Sequence, residues 1–460
     1  MQNTEPETGE RGGLAASPSS PNAIEMTEAR APADVLTDDT VASRLGTNSD
    51  AVSQAEEPLL AEIVDLQRGP HPVSTELEPG NPFAPGATAD RTHIAAATPA
   101  SMVSPSQTAA PRRRRPQPGL VVAFLLTWLP IFMQIVVVAV ISIVVVVTYA
   151  IATGKPNAGA TWIQENQAVL LPVGTFTTLV VAVAIAYLFY GRAAGRCIAF
   201  RGLAPTQLLA SLMLVLPLQT LASELTNIAQ LVVPLFEPAF LQSLRESNHA
   251  IFEQLIERSW LLTIVGACLL PGLGEEIFAR GFIGRGLVSR YGLVVGVTLT
   301  SFLFGAMHVD PVQGTGAMAL GFALHYVYLM SRSLWAPIVL HTLNNASAFA
   351  FWATSQQVWV PGLTALPDGQ VSHTPILLLL ASFLSAAAWC WFLYRTRTRW
   401  HMPDGSLWNP GFPTAEMPPA VLLCQPLRKA GGGIELVVAL LSTSLFLVAL
   451  YLVAESPPIT

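Results

Sequence analysis

Seven residues in the middle of this chain have types and spacings that suit chemistry. Glu275 and Glu276 are adjacent, and Arg280 follows Glu276 by four positions. His308 follows Phe304 by four, and Asn345 follows His341 by four. Residues four apart on a helix share a face. Arg280 is thus placed to neutralise Glu276, while Glu275, about 100° round the helix, is left without that partner. A carboxylate free in a low-dielectric site is suited to general-base work. Phe304 can wall a pocket next to His308. Glu275 and His308 can polarise a water, and His341 and Asn345 can hydrogen-bond a developing oxyanion. Alternatively, Glu275, His308 and His341 can hold Zn²⁺ with an open position for water.

Other polar groups in this region carry weaker signals. Glu224, with Asn227 one turn on, reads as a hydrogen bond between helices sooner than as a catalyst. His325 has only Gly321 and Leu329 four positions away and reads as a packing residue.

The elements that must position these residues follow from composition. The chain has 460 residues, of which 52% are hydrophobic and only 12% charged, against about 25% charged in ordinary globular proteins. Residues 1–110 hold 16 of the 30 Asp and Glu, leaving 14 for the other 350 positions. Such a body cannot cover a water-facing surface, so the sequence predicts an integral membrane protein. Cys197, Cys268, Cys390 and Cys424 are scattered and unpaired in sequence, which excludes a disulfide scaffold. No apolar core of a secretory signal is expected in the first hundred residues.

Nine apolar segments approach the roughly 20 residues a spanning helix needs. They lie near 119–151, 168–191, 206–235, 259–274, 292–308, 312–331, 334–353, 374–394 and 433–454. The fourth runs on into a polar helix carrying Glu275 to Arg290. The predicted fold is all-α, a polytopic transmembrane bundle of about 8–9 spans with a disordered N-terminal tail. Its organisation is read as an acidic cytoplasmic tail over 1–115, N-terminal membrane helices over 116–258, a catalytic core over 259–355, and a C-terminal loop and helices over 356–460. The tail ends in Arg112–Arg115, which next to an apolar run reads as a membrane-flanking anchor, not a nucleic-acid patch. Basic residues recur in alternate loops, at Arg192, Arg196 and Arg201, then Arg280, Arg285 and Arg290, then Arg332, then Arg395, Arg397, Arg399, Arg428 and Lys429. The positive-inside rule makes that side, and the N-terminus, cytoplasmic.

At the residues first singled out, the chain resembles the CAAX prenyl protease type II and bacteriocin-processing (CPBP, or Abi) intramembrane proteases. That family carries three motifs, EExxxR, FxxxH and HxxxN. Here they read Glu275-Glu276-Ile277-Phe278-Ala279-Arg280, Phe304-Gly305-Ala306-Met307-His308 and His341-Thr342-Leu343-Asn344-Asn345. The resemblance covers about 259–355. It implies a helical membrane endopeptidase in which Glu275 is the catalytic carboxylate and His308 helps activate water. By the same resemblance His341 and Asn345 stabilise the oxyanion, and Glu276 with Arg280 supports the site. The family has been discussed with and without a metal. This chain has no HExxH motif, which slightly favours metal-independent chemistry and leaves zinc open. The implied partners are the lipid bilayer and a peptide or protein substrate, prenylated or membrane-embedded, with no nucleic acid. The implied location is a bacterial plasma membrane.

Two readings from other classes compete. One is an ion- or proton-coupled transporter using Glu224, Glu275 and the histidines as a relay. The other is a non-catalytic membrane scaffold or immunity protein. The four polar groups of the motifs, costly in lipid, argue against a scaffold.

Overall fold

The computed structural model describes residues 118–355, 357–364, 371–422, 425–428 and 432–455. The predicted disordered tail, Arg112–Arg115 and parts of the C-terminal loop lie outside the described residues. All nine apolar segments form helices. They are α1 (Leu120–Thr153), α3 (Gln167–Tyr190), α4 (Pro205–Val232), α6 (Trp260–Tyr291), α7 (Leu293–Ala306), α8 (Pro311–Ser331), α9 (Trp335–Thr354), α10 (Ile376–Arg395) and α11 (Gly433–Ala454). Two further helices were not predicted: α2 (Ala158–Glu165) and α5 (Ala239–Arg258). A two-stranded antiparallel ribbon, β1 (Thr398–His401) with β2 (Gln425–Arg428), pairs Thr398 with Arg428 and His401 with Gln425.

Among the described residues, six helices are long and apolar enough to cross a membrane: α1, α3, α4, α6, α10 and α11, with α3 and α4 each continued by short turns. The predicted figure of 8–9 is therefore met only roughly. The shortfall has a physical cause, because α7 is short and α8 and α9 turn much of their surface to the bundle interior. An interior helix exchanges lipid-facing side chains for small and polar ones, which lowers its hydropathy. Buried His325, His341 and Asn344 are examples.

The bundle is layered around α6. All eight residues Ile277–Gly284 are buried, whereas α1 and α11 turn residues such as Leu125, Ile151, Leu441 and Leu452 outward. Helix α6 packs on α3 and α9, and α4 packs on α8, α9 and α10. Close approach is set by small residues. A Cβ on Gly272 would stand 2.3 Å from Thr342 Oγ1, and one on Gly305 would stand 2.6 Å from the Gly314 carbonyl oxygen. Glycine at these two places brings the helix of Glu275 against that of His341, and α7 against α8.

The arginines of alternate loops meet at one end of the bundle. Arg196 and Arg285 both bind Glu416, Arg201 donates to the carbonyl of Arg332 at 2.7 Å, and Gln207 at the start of α4 reaches Thr398. The other end of α4 is tied to different loops. Glu224 accepts from the Thr374 amide and pairs with His373, each at 2.7 Å. Asn227 donates to the carbonyls of Gly362 and Ser372.

Candidate active site

The three motifs converge. α6 is interrupted by wide π-type turns at Ile264–Leu269 and Ile277–Gly284, a distortion that recurs at functional sites. Glu276 remains four residues below Arg280 on one face, and its Oε1 accepts from Arg280 Nη1 at 2.7 Å. Both side chains are fully buried. Arg280 also donates to the Gly321 carbonyl, and its guanidinium lies 4.3 Å over the Phe304 ring.

His341 joins the motifs. Its Nδ1 lies 2.9 Å from Glu276 Oε1, and its Nε2 lies 4.0 Å from Glu275 Oε2. The sequence suggested His341 as an oxyanion partner. Its position between the two carboxylates required the tertiary structure. As the spacing argument anticipated, Arg280 holds Glu276 and not Glu275; Oε2 of each carboxylate is buried without a hydrogen-bond partner.

His308, two residues past the end of α7, is oriented by the last turn of that helix. Its Nδ1 lies 3.0 Å from the Phe304 carbonyl oxygen. A carbonyl only accepts, so Nδ1 carries the hydrogen and the neutral ring keeps Nε2 as an acceptor. The Phe304 ring meets His308 and His341 edge-on, at centroid distances of 5.5 and 5.7 Å. It is the shared platform for both imidazoles and the guanidinium. Asn345 donates one amide hydrogen to the Ala267 carbonyl at 3.2 Å, which leaves the other for a ligand. Its neighbour Asn344, not predicted as functional, is buried with an unpartnered Oδ1.

A cavity of about 520 Å³ opens beside these groups, lined by Phe304, His308, His341, Asn344 and Asn345. Its opposite wall is the second half of α4, with Gln219, Ser223, Asn227 and Gln230, and its rim includes His249 of α5 and Ser372. Sequence reasoning missed this wall. The one legible signal was the polar content of α4 after Leu218, of which only Glu224 and Asn227 were singled out. Among the described lining residues none is Asp, Glu, Lys or Arg.

α5 borders the cavity through His249, whose ring lies 5.3 Å from that of Trp352. It is held by Arg245, which reaches Asp310 at 2.8 Å and Glu237 at 2.6 Å. These two carboxylates raise the pKa of Arg245 further above its ordinary value. Glu224 stands apart from the motif cluster, holding the 371–374 segment, and His325 is buried with its ring edge-on to Tyr328 and its Nδ1 unpartnered. Among the described residues no three His, Cys, Asp or Glu side chains are grouped to hold a metal. His308 and His341 each turn Nδ1 to the protein and keep Nε2 open, which is also how a metal-ligating histidine is held.

Residues 257–347 match the family model of the type II CAAX prenyl endopeptidases, Rce1-like. That match contains all three motifs and most of the stretch, about 259–355, where they suggested the resemblance. A phospho-N-acetylmuramoyl-pentapeptide-transferase of Synechococcus sp. (strain RCC307) is 33% identical over 108 residues, 23% of this chain and 29% of that protein. YdiL of Bacillus subtilis (strain 168), named as a membrane peptidase, is 29% identical over 100 residues, 22% of this chain and 40% of that protein. The chain thus spans well under half the length of either relative. No solved structure matches it at a significant level. The apolar helices and the family match together make this an integral membrane protein with a protease-like core.

Proposed function

We propose that the protein is an intramembrane endopeptidase that hydrolyses a peptide bond with water activated by Glu275 and His308. The observation that carries the reading is His341 bridging Glu276 and Glu275 at the edge of a polar cavity that Asn345 and His308 also line. Glu275 takes one proton of the water, and Nε2 of His308 accepts a hydrogen bond from the other. The hydroxide adds to the carbonyl carbon. The oxyanion is met by the second amide hydrogen of Asn345 and by Nε2–H of the imidazolium form of His341, whose Nδ1–H is given to Glu276. Glu275 then returns the proton to the amine nitrogen as the C–N bond breaks.

The cavity favours peptide over a phosphorylated sugar donor. The amides of Gln219, Asn227, Asn344 and Asn345 complement backbone amides, whereas a phosphoryl group calls for Lys or Arg, which the described lining lacks. This argues against extending the transferase name of the Synechococcus relative to this chain.

The arginine-rich end is assigned to the cytoplasm of a bacterial plasma membrane, with the N-terminus on the same side. The cavity is lined by the other half of α4, at the end held by Gly362 and Ser372. Substrate peptides on this reading enter from the non-cytoplasmic face, and a prenylated cytosolic tail is the less suited class.

The test is cleavage by the purified protein of a membrane-peptide library and a prenylated CAAX-type peptide, with Glu275→Ala beside it. Cleavage that survives the substitution removes Glu275 from the mechanism. For orientation, a Gln357→Cys variant, exposed near the cavity end, is labelled in intact cells by an impermeant maleimide. Labelling only after permeabilisation reverses the assignment.

A further inference from the structure

A second cavity, of about 460 Å³, lies at the arginine-rich end and shares no lining residue with the first. One wall is membrane-facing. Val297 and Leu329 line it, and Val294 and Phe322, which are 60% and 40% exposed, continue it onto the outer surface of α7 and α8. The other wall comes from the segment after β1 and carries Trp408 and Phe412. Its head holds Arg332, Arg397, Arg399 and Trp400.

Two donors in this head have no partner. Arg332 Nη1 and Trp400 Nε1 are both buried without a hydrogen bond. An unsatisfied buried donor is costly, and a cationic one more so. The surrounding charge compounds this. Burial, together with the guanidinium groups of Arg201 and Arg397, lowers the pKa of Arg332 to about 10. Among the described lining residues none is acidic. The complement to such a place is a group rich in acceptor oxygens and negatively charged, attached to something apolar that fits the slot between α7 and α8. Tryptophans beside arginines are also what a chain presents at the headgroup level of a bilayer.

We propose that this cavity is a binding site for an anionic phospholipid. The phosphate accepts from Arg332 and Trp400, and an acyl chain lies along Val297, Phe322 and Leu329. The site is independent of the peptidase reading, since no catalytic group contributes to it.

The test is native mass spectrometry of the full chain released from nanodiscs holding equal amounts of phosphatidylglycerol and phosphatidylcholine with identical acyl chains. The expected result is at least tenfold preferential retention of phosphatidylglycerol. Arg332→Asn, chosen because Arg332 has a left-handed backbone (φ 49°) that Asn tolerates, brings retention down to the phosphatidylcholine level. Val297→Trp does the same by filling the slot with the arginines intact. Added glycerol phosphate leaves the lipid in place, whereas its displacement of the lipid at equal concentration would assign the head to a soluble phosphate and overturn the proposal. Equal retention of both lipids by the wild type, or undiminished retention by Val297→Trp, also overturns it. Should Arg332→Asn fail to insert, the other two measurements decide.

Discussion

His341 lies between two carboxylates, with its Nδ1 2.9 Å from Glu276 Oε1 and its Nε2 facing Glu275. Glu276 therefore serves two partners through one oxygen, since Arg280 Nη1 approaches the same atom at 2.7 Å. Adjacent residues of one helix differ in their partners. Glu276 holds the imidazole and the guanidinium through Oε1, whereas Glu275 makes a hydrogen bond with neither, and each carboxylate keeps a buried, unpartnered Oε2.

Glu276→Gln leaves the buried Arg280 without its counter-charge. Breaking a buried pair on one side costs about 3–5 kcal/mol, to be seen as a lowered melting temperature in detergent. Glu276→Leu combined with Arg280→Met removes both charges and restores much of that stability, yet leaves an inactive protein because His341 loses its orienting partner. A double variant as unstable as the single one would contradict this account.

Glu275→Gln is expected to behave oppositely. The buried Glu275 Oε2 makes no hydrogen bond, so the melting temperature holds while peptide cleavage falls by about 10²–10⁴, the range for a positioned acid–base group. A fall in melting temperature as large as that of Glu276→Gln would move Glu275 into the structural class.

Gly272→Ala places a methyl group 2.3 Å from Thr342 Oγ1. The contact pushes α6 from α9 and separates Glu275 from His341. Thr342→Ala removes that oxygen, and the next nearest atom is then the Thr342 backbone nitrogen at 3.3 Å. Activity lost in the single variant should return in the pair, as measured by cleavage rate.

Arg245→Gln releases α5 from Asp310 and Glu237. Hydrogen bonds to charged groups contribute about 1.5–3 kcal/mol each in favourable cases, and the prediction is faster proteolysis within 239–258 together with a changed KM and an unchanged kcat. The sign of the pH effect follows from the raised pKa of Arg245. The guanidinium stays charged at every accessible pH, so alkali does not open the clamp. Limited proteolysis at rising pH measures this.

The sequence by itself determined the helices and the pairs within them. Nine apolar runs became nine helices because a backbone in hydrocarbon must satisfy its hydrogen bonds internally. Glu276 meets Arg280 because i and i+4 neighbours on a helix are fixed by helical pitch alone, whereas His308 lies past the end of α7 and takes its hold on Phe304 from the turn that follows the helix. The amphipathic α5, too polar to register as a span, went unread.

Only the tertiary structure decided what depends on residues far apart in sequence. His341 reaches Glu276 across 65 positions, and Glu224 reaches Thr374 across 150, neither of which helical spacing can encode. The first completes the candidate site, and the second removes Glu224 from it. The polar wall of α4 is likewise legible as polar residues in sequence, but its facing of His308 and His341 depends on how α4 packs against α8 and α9. Helical pitch is a local property, and the packing of one helix on another is set by small residues such as Gly272 and Gly305 at their crossings.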